Sequence, residues 1–152
     1  MAVRRLRRKL VFTAAVVWIL FLGGLALWTA NPVTLNLKAL KAAREFGAVV
    51  VGEVIEVSNR PARTDENQQP GPDYSVRVVD VLATSSEKVG NIEVAEGKTV
   101  PVVDFAETRP KIGERLVVVG SLHASAEALQ AMARYPATPE IISAIKNTIE
   151  AR

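Results

Sequence analysis

The sequence predicts one N-terminal transmembrane helix followed by a mainly β (α+β) domain, with five strands and a C-terminal helix. Three observations predict it. Residues 10–28, LVFTAAVVWILFLGGLALW, carry no charge. Five short runs rich in β-branched residues follow, separated by Pro, Gly and polar clusters. The chain then closes on a Thr-Pro-Glu helix start with spaced isoleucines behind it.

The apolar run, nineteen residues from Leu10 to Trp28, reaches roughly the 30 Å of a bilayer core as a helix at ~1.5 Å per residue. Helix is expected because backbone polar groups in lipid must be satisfied within the segment. Leu10, Trp18, Gly23 and Trp28 mark the anchor: Trp28 stands at an interfacial position, Trp18 near its middle, and Gly23-Gly24 permits a bend or a close helix contact. Arg4, Arg5, Arg7, Arg8 and Lys9 precede it with no acid among them, and they set the topology with the N-terminus inside. A cleaved leader has a shorter apolar core and a small-residue site beyond it. Here Gly24-Leu25-Ala26 lies within the run, and a cut after Ala30 would place the bulky Trp28 at the −3 position. The expected location is therefore the cytoplasmic (inner) membrane, single-pass, with the domain outside.

The formal charge is +3, but five positives lie in residues 4–9, which leaves −2 on the rest. The part that folds has no basic nucleic-acid footprint. With no Cys, disulfides, thiolate nucleophiles and Cys-based metal sites are excluded. The expected organisation is a basic tail over 1–9, an anchor over 10–30, and a juxtamembrane linker or helix over 31–47. A β-barrel over 48–122 and a helical segment over 123–152 complete it.

Asn31-Pro32 marks the end of the anchor. Thr34 is read as the N-cap of a helix over about 35–46, with Leu37, Leu40 and Ala43 on its apolar side, closed by Phe46, and with Gly47 at its end. Lys38, Lys41 and Arg44 form another face, read as solvated or as facing lipid headgroups. AVVVGEVIEV, 48–57, is the clearest strand, with a bulge or bend expected at Gly52. Its Glu53 and Glu56 fall on opposite faces, so they make no carboxylate pair. Residues 58–72 form a long polar loop. Strand 74–83 places Tyr74, Val76, Val78 and Leu82 on one face. Runs 91–95 and 99–104 flank a turn at Glu96-Gly97-Lys98, with Pro101 at an edge or a strand start. Strand 115–122 contains Gly120. Residues 125–134 favour helix by propensity, while 128–134 also suit a last strand. Thr138, Pro139 and Glu140 start the final helix. Its Ile141, Ile142, Ile145 and Ile149 form a stripe expected to pack on the domain, with Ile141, Ile145 and Ile149 sealing an open barrel end; docking onto a partner or the membrane surface is the alternative.

Five strands with a long first loop and a terminal helix suggest a small OB-like β-barrel. Val49–Val57, Tyr74–Leu82 and Ile112–Val119 resemble the barrel core of tissue-inhibitor and netrin-like domains. A basic tail, a single anchor, a barrel and a Tyr-Pro…Pro-Glu ending resemble the cytochrome c maturation haem chaperone, on Tyr135, Pro139 and Glu140. That family's haem-tethering histidine stands in a His-Asp-Glu-x-Tyr run, where this chain has Gln130-Ala-Met-Ala-Arg-Tyr135. The resemblance implies that architecture without the haem chemistry.

No catalytic signature is present. His123 is the lone histidine and has no cluster of ligands around it in sequence. Ser121 and Ser125 have no nucleophile elbow, and no Gly-rich phosphate loop occurs. Asp80 and Asp104 are expected to pair with Arg77 or Arg115. The expected function is a membrane-anchored extracytoplasmic binding or assembly module, not an enzyme, with no cofactor. Its expected partners are the lipid bilayer and another membrane or periplasmic protein, and no nucleic acid. A haem or metal carrier, or an enzyme of another class, is the alternative.

Overall fold

Val49–Val51 and Val117–Val119 are unbroken valine runs, and both are buried throughout. A strand with one wet face alternates apolar and polar residues, so an unbroken run means that both faces are covered. In the computed structural model, which describes residues 16–18, 34–59, 71–89, 91–122 and 127–151, these runs form the centre of the sheet. The element order is α1 (Leu37–Phe46), β1 (Gly47–Val57), β2 (Tyr74–Thr84), β3 (Lys88–Val89), β4 (Ile92–Glu93), β5 (Thr99–Val103), β6 (Arg115–Ser121), β7 (Leu129–Pro136) and α2 (Pro139–Glu150). Five strands close into a barrel in the order β1-β2-β5-β7-β6, with β6 pairing back onto β1. All pairs are antiparallel except β5 with β7, which are parallel.

Alternation along β1 and β6 divides the apolar residues into two cores. Ala48, Val50, Val54, Leu116 and Val118 face the interior, with Val76, Val78, Val100, Val102 and Leu129 from the other strands. Val49, Val51, Val117 and Val119 face outward and meet Ala39, Leu40 and Ala43 of α1 and Ile141 and Ile145 of α2. β1 and β6 are thus the shared wall of two cores; Gly47 lets them approach, and Gly120 lets β6 approach β7. A Cβ on Gly47 would land on the Gly120 carbonyl oxygen, and one on Gly120 would sit 2.5 Å from Leu129 Cγ. The register of β1 against β2 shifts between Val51 and Gly52, the bulge expected there.

Several expectations need correction. The N-cap of α1 is Asn36, whose Oδ1 accepts from the Ala39 N–H at 3.1 Å, and not Thr34. Its buried side is Ala39, Leu40 and Ala43, while Leu37 and Phe46 are exposed. The short run at 92–93 pairs back onto 88–89 and not across the Gly97 turn. Its Ile92 and the following Val94 join the interior core. The register shift between Val51 and Gly52 leaves Val79 as the extra residue of β2 and reverses the strand's alternation, so Val81 packs on the interior core and Leu82 on the outer one. Residues 129–136 are strand despite their helix propensity: they fill the gap between β5 and β6, and tertiary pairing outweighs a weak local preference. The barrel therefore runs past residue 122, and only Pro139–Glu150 of the C-terminal segment is helix. α2 starts as expected, with Thr138 as N-cap and Pro139 in the first turn. Its isoleucines pack on the domain as expected, with Ile141 and Ile145 buried, but they cover the outer wall and not a barrel end.

Pro101 lies within β5, opposite Ser75 of β2. β5 meets β7 only at Val102 and Val103, so the missing Pro101 N–H falls where β5 has one neighbour. Residues 1–34 and 35–152 are separate units. In the first, residues 16–18 are helical and Trp18 is 62% exposed. Leu10, Gly23, Trp28, Arg4, Arg5, Arg7, Arg8 and Lys9 lie outside the described residues. Among the described residues no helix is long and apolar enough to cross a membrane.

Ile145 is fully buried between α2 and the wall. Ile145→Ala should cost about 2–5 kcal/mol, read as a melting temperature lower by about 10 °C or more in thermal unfolding followed by circular dichroism. Unchanged melting would mean that α2 contributes little to the fold. Gly120→Ala should also destabilise, because the added methyl displaces Leu129 from the interior core.

Candidate functional site

The parallel β5–β7 contact is the weakest seam of the barrel, with only two residue pairs. Charged side chains converge on it from four segments. Asp73, just before β2, is buried, and its Oδ2 accepts from the Asp104 N–H at 2.9 Å. Its Oδ1 lies 3.6 Å from Arg109 Nη2, and Arg109 Nη1 donates to the Ser58 carbonyl. The two ends of the β1–β2 loop are joined as well, by the Ser58 N–H donating to the Asp73 carbonyl at 2.8 Å. Asp104, just after β5, accepts at Oδ2 from the Tyr74 hydroxyl at 3.0 Å and from Arg134 Nη1 at 2.9 Å. Its Oδ1 accepts from the Ala106 N–H at 2.9 Å. Arg134 of β7 also donates through Nη2 to the Thr108 carbonyl at 2.8 Å.

Two carboxylates and two guanidiniums make this cluster neutral, and each charge is held by several partners. Among the described residues no buried side-chain polar atom lacks a hydrogen bond. The cluster clamps the start of β2, the end of β5, the 104–109 connection and β7 together, where the backbone ladder is short. Burial above all, and then the Asp104 carboxylate, raise the Tyr74 phenol well above its ordinary value of 10.0; Arg134 pulls it the other way. The hydroxyl is held as a neutral donor to Asp104 and is a poor nucleophile or base.

An open groove of about 350 Å³ lies over this clamp. Asp104 and Arg134 are polar parts of its lining, and Phe105, Ala106, Ala131 and Met132 are apolar parts. Phe105 and Met132 are 37% and 36% exposed. Met132 owes its position to a bulge: Val119 pairs with Ala133 and Gly120 with Ala131, so Met132 is the extra residue. A bulge re-aims the side chain it carries, and a thioether beside an aromatic ring is an adaptable contact surface. A second groove, of about 360 Å³, lies between α1 and α2.

The expected pairs of Asp80 and Asp104 with Arg77 or Arg115 do not form. Asp80 bonds Lys146 of α2 at 3.3 Å, and Asp104 bonds Arg134. The charges nearest in sequence lose to those that the topology brings close. Tyr135 is buried, and its hydroxyl accepts from the Asn36 N–H at 2.7 Å, which ties β7 to the start of α1. Glu140 is exposed in the first turn of α2. His123 and Ser125 lie outside the described residues, and Ser121 ends β6. Among the described residues no three His, Asp or Glu side chains converge as metal ligands would. No family pattern, curated protein or solved structure matches the chain.

Sequence reasoning did not find the clamp, because residues 73, 104, 109 and 134 share no spacing. It also did not find the Phe105–Met132 pair, because a bulge leaves no mark in a period-2 pattern.

Arg134→Ala leaves the Asp104 carboxylate half-buried without its cation and releases Thr108, and should cost about 3 kcal/mol in denaturant unfolding. Above pH ~10 an unfolded tyrosine gives up its proton while folded Tyr74 keeps it, so stability should fall as pH rises beyond that point. Denaturant midpoints from pH 9 to 11.5 check this. Tyr74→Phe should flatten that part of the profile, and an unchanged slope would mean that other groups set it.

Proposed function

We propose that this chain is a membrane-anchored extracytoplasmic binding or assembly module built on an OB-type barrel, with the Phe105–Met132 groove as its contact surface. The uncharged run Leu10–Trp28 behind Arg4, Arg5, Arg7, Arg8 and Lys9 supports the anchor and an inside N-terminus. Counted without the β3–β4 hairpin, the strands run 1-2-3-5-4 and return to 1, and this order supports the OB-type assignment. Barrels of that type present ligands on their second and third strands and on the loops around them. The groove lies beside the end of the third barrel strand, next to residues clamped to both ends of the first loop.

The observation that carries the reading is the contrast within the groove. Its charged groups are spent on one another, which leaves the exposed ring and thioether to meet a partner. An aromatic and a methionine that open onto solvent beside a pocket suit an apolar side chain of another protein. Nucleic acid is disfavoured, since the folded part carries no net positive charge.

Two measurements test this in cells that express the full chain. Protease added to sealed spheroplasts should remove the residues beyond 31, and protection of the C-terminus would reverse the topology. A photo-crosslinking residue at position 105 or 132 should give one discrete adduct that is absent when the probe is at exposed Ile112. Adducts at all three positions or at none would refute the contact surface.

A further inference from the structure

The second groove has a chemistry of its own. Leu37, Leu40 and Ile149 supply apolar surface, and Lys41, Arg44, Glu45 and Thr148 supply the polar part. Leu37 is 51% exposed. Arg44 is steered toward the groove by a hydrogen bond from its Nη1 to the Ile149 carbonyl at 3.2 Å, and its other donors are not engaged by that bond. With exposed Lys38 on the same helix, the exposed charge of α1 is three positives against Glu45. An apolar trough with a cationic rim is complementary to an anionic amphiphile, whose phosphate meets Lys and Arg while its carbon chain covers Leu and Ile.

The position of α1 in the chain narrows the source. Residues 29–36 are all that separates Trp28 from Leu37, and an extended chain of that length reaches at most ~30 Å. A surface tethered so closely to its own bilayer meets headgroups at a high effective concentration. We infer that the α1–α2 groove binds an anionic phospholipid of the membrane in which the chain is anchored. The inference rests on the anchored reading above. Lys41 and Arg44 are the cations of the groove, Lys38 adds positive charge on the same helix outside its lining, and Leu37 and Ile149 are the acyl contacts. Phe105 and Met132 are then left to a protein partner.

The absence of Cys makes the test direct, since a single introduced thiol carries the only label. Full-length Thr148→Cys and Ile112→Cys are each labelled with bimane and reconstituted into phosphatidylglycerol vesicles that contain a headgroup nitroxide. Quenching should be several-fold stronger at 148 than at 112, and it should fall toward the 112 level in phosphatidylcholine. Lys38→Glu with Lys41→Glu, both exposed and outside the core, should lower the bound-to-free ratio by on the order of tenfold or more. Equal quenching at the two sites in protein that floats with vesicles after an alkaline wash overturns the lipid site and leaves the anchor standing. Protein that does not float overturns both. Quenching at 148 that ignores lipid charge and the Lys variants overturns the assignment of an anionic headgroup.

Discussion

The fold depends on the antiparallel pair β1–β6. Seven consecutive pairings join Gly47–Glu53 to Ser121–Arg115, and valines fill both faces of the ribbon. The interior face belongs to the barrel core, and the outer face to the layer beneath α1 and α2. Neither core is complete without this wall. The helices bury few large residues of their own: Leu40 among alanines from α1, and Ile141 and Ile145 from α2. Helices of 10 and 12 residues gain too little from local propensity to persist alone, so it is the outer valines that hold them. The same ribbon brings backbones so close at Gly47 that a side chain there would strike the Gly120 carbonyl, and a side chain at Gly120 would strike Leu129 of β7.

Opposite this strong wall is the seam between β5 and β7. A closed barrel leaves no exposed edge, yet here closure relies on a short parallel contact flanked by Pro101 on one strand and a bulge at Met132 on the other. Hydrogen bonds from side chains take over where ladder bonds run out. Asp73 holds the Asp104 backbone, Asp104 holds Tyr74 and Arg134, and Arg134 holds the 104–108 connection. Such a cluster is destabilised by loss of any one member more than it is stabilised by the whole. It fixes a geometry, and the Phe105–Met132 groove lies over it.

How much of this was legible in the sequence follows from the range of each interaction. Strand positions, the Gly52 bulge and the Thr138-Pro139 start of α2 are local, set by β-branching, a missing side chain and capping chemistry, and the sequence displays them. The unbroken valine runs also say that β1 and β6 are covered on both faces, although not by what. Residues 129–136 are ambiguous for a physical reason: Ala, Leu, Gln and Met prefer helix in isolation, and only the vacancy between β5 and β6 makes them a strand. The clamp is the least legible part. Its four charged members come from three separate stretches of the chain and meet only after the barrel closes, so no spacing announces them. Asn36 displaced Thr34 as cap because its backbone N–H also bonds Tyr135, 99 residues away, a contact invisible to any local rule.

The chemistry of the seam also bears on the proposed docking role. Acid–base catalysis needs a group whose proton can leave and return near the working pH. Burial and the Asp104 carboxylate push the Tyr74 phenol in the opposite direction, toward permanent protonation. Asp104 itself accepts from a phenol, a guanidinium and a backbone N–H, so its lone pairs are already engaged. A cluster tuned in this way is a rigid platform, and what it presents to solvent is a ring and a thioether. Rigidity beneath an adaptable surface lowers the entropy lost on association, which is the physical basis of the docking role proposed for this groove.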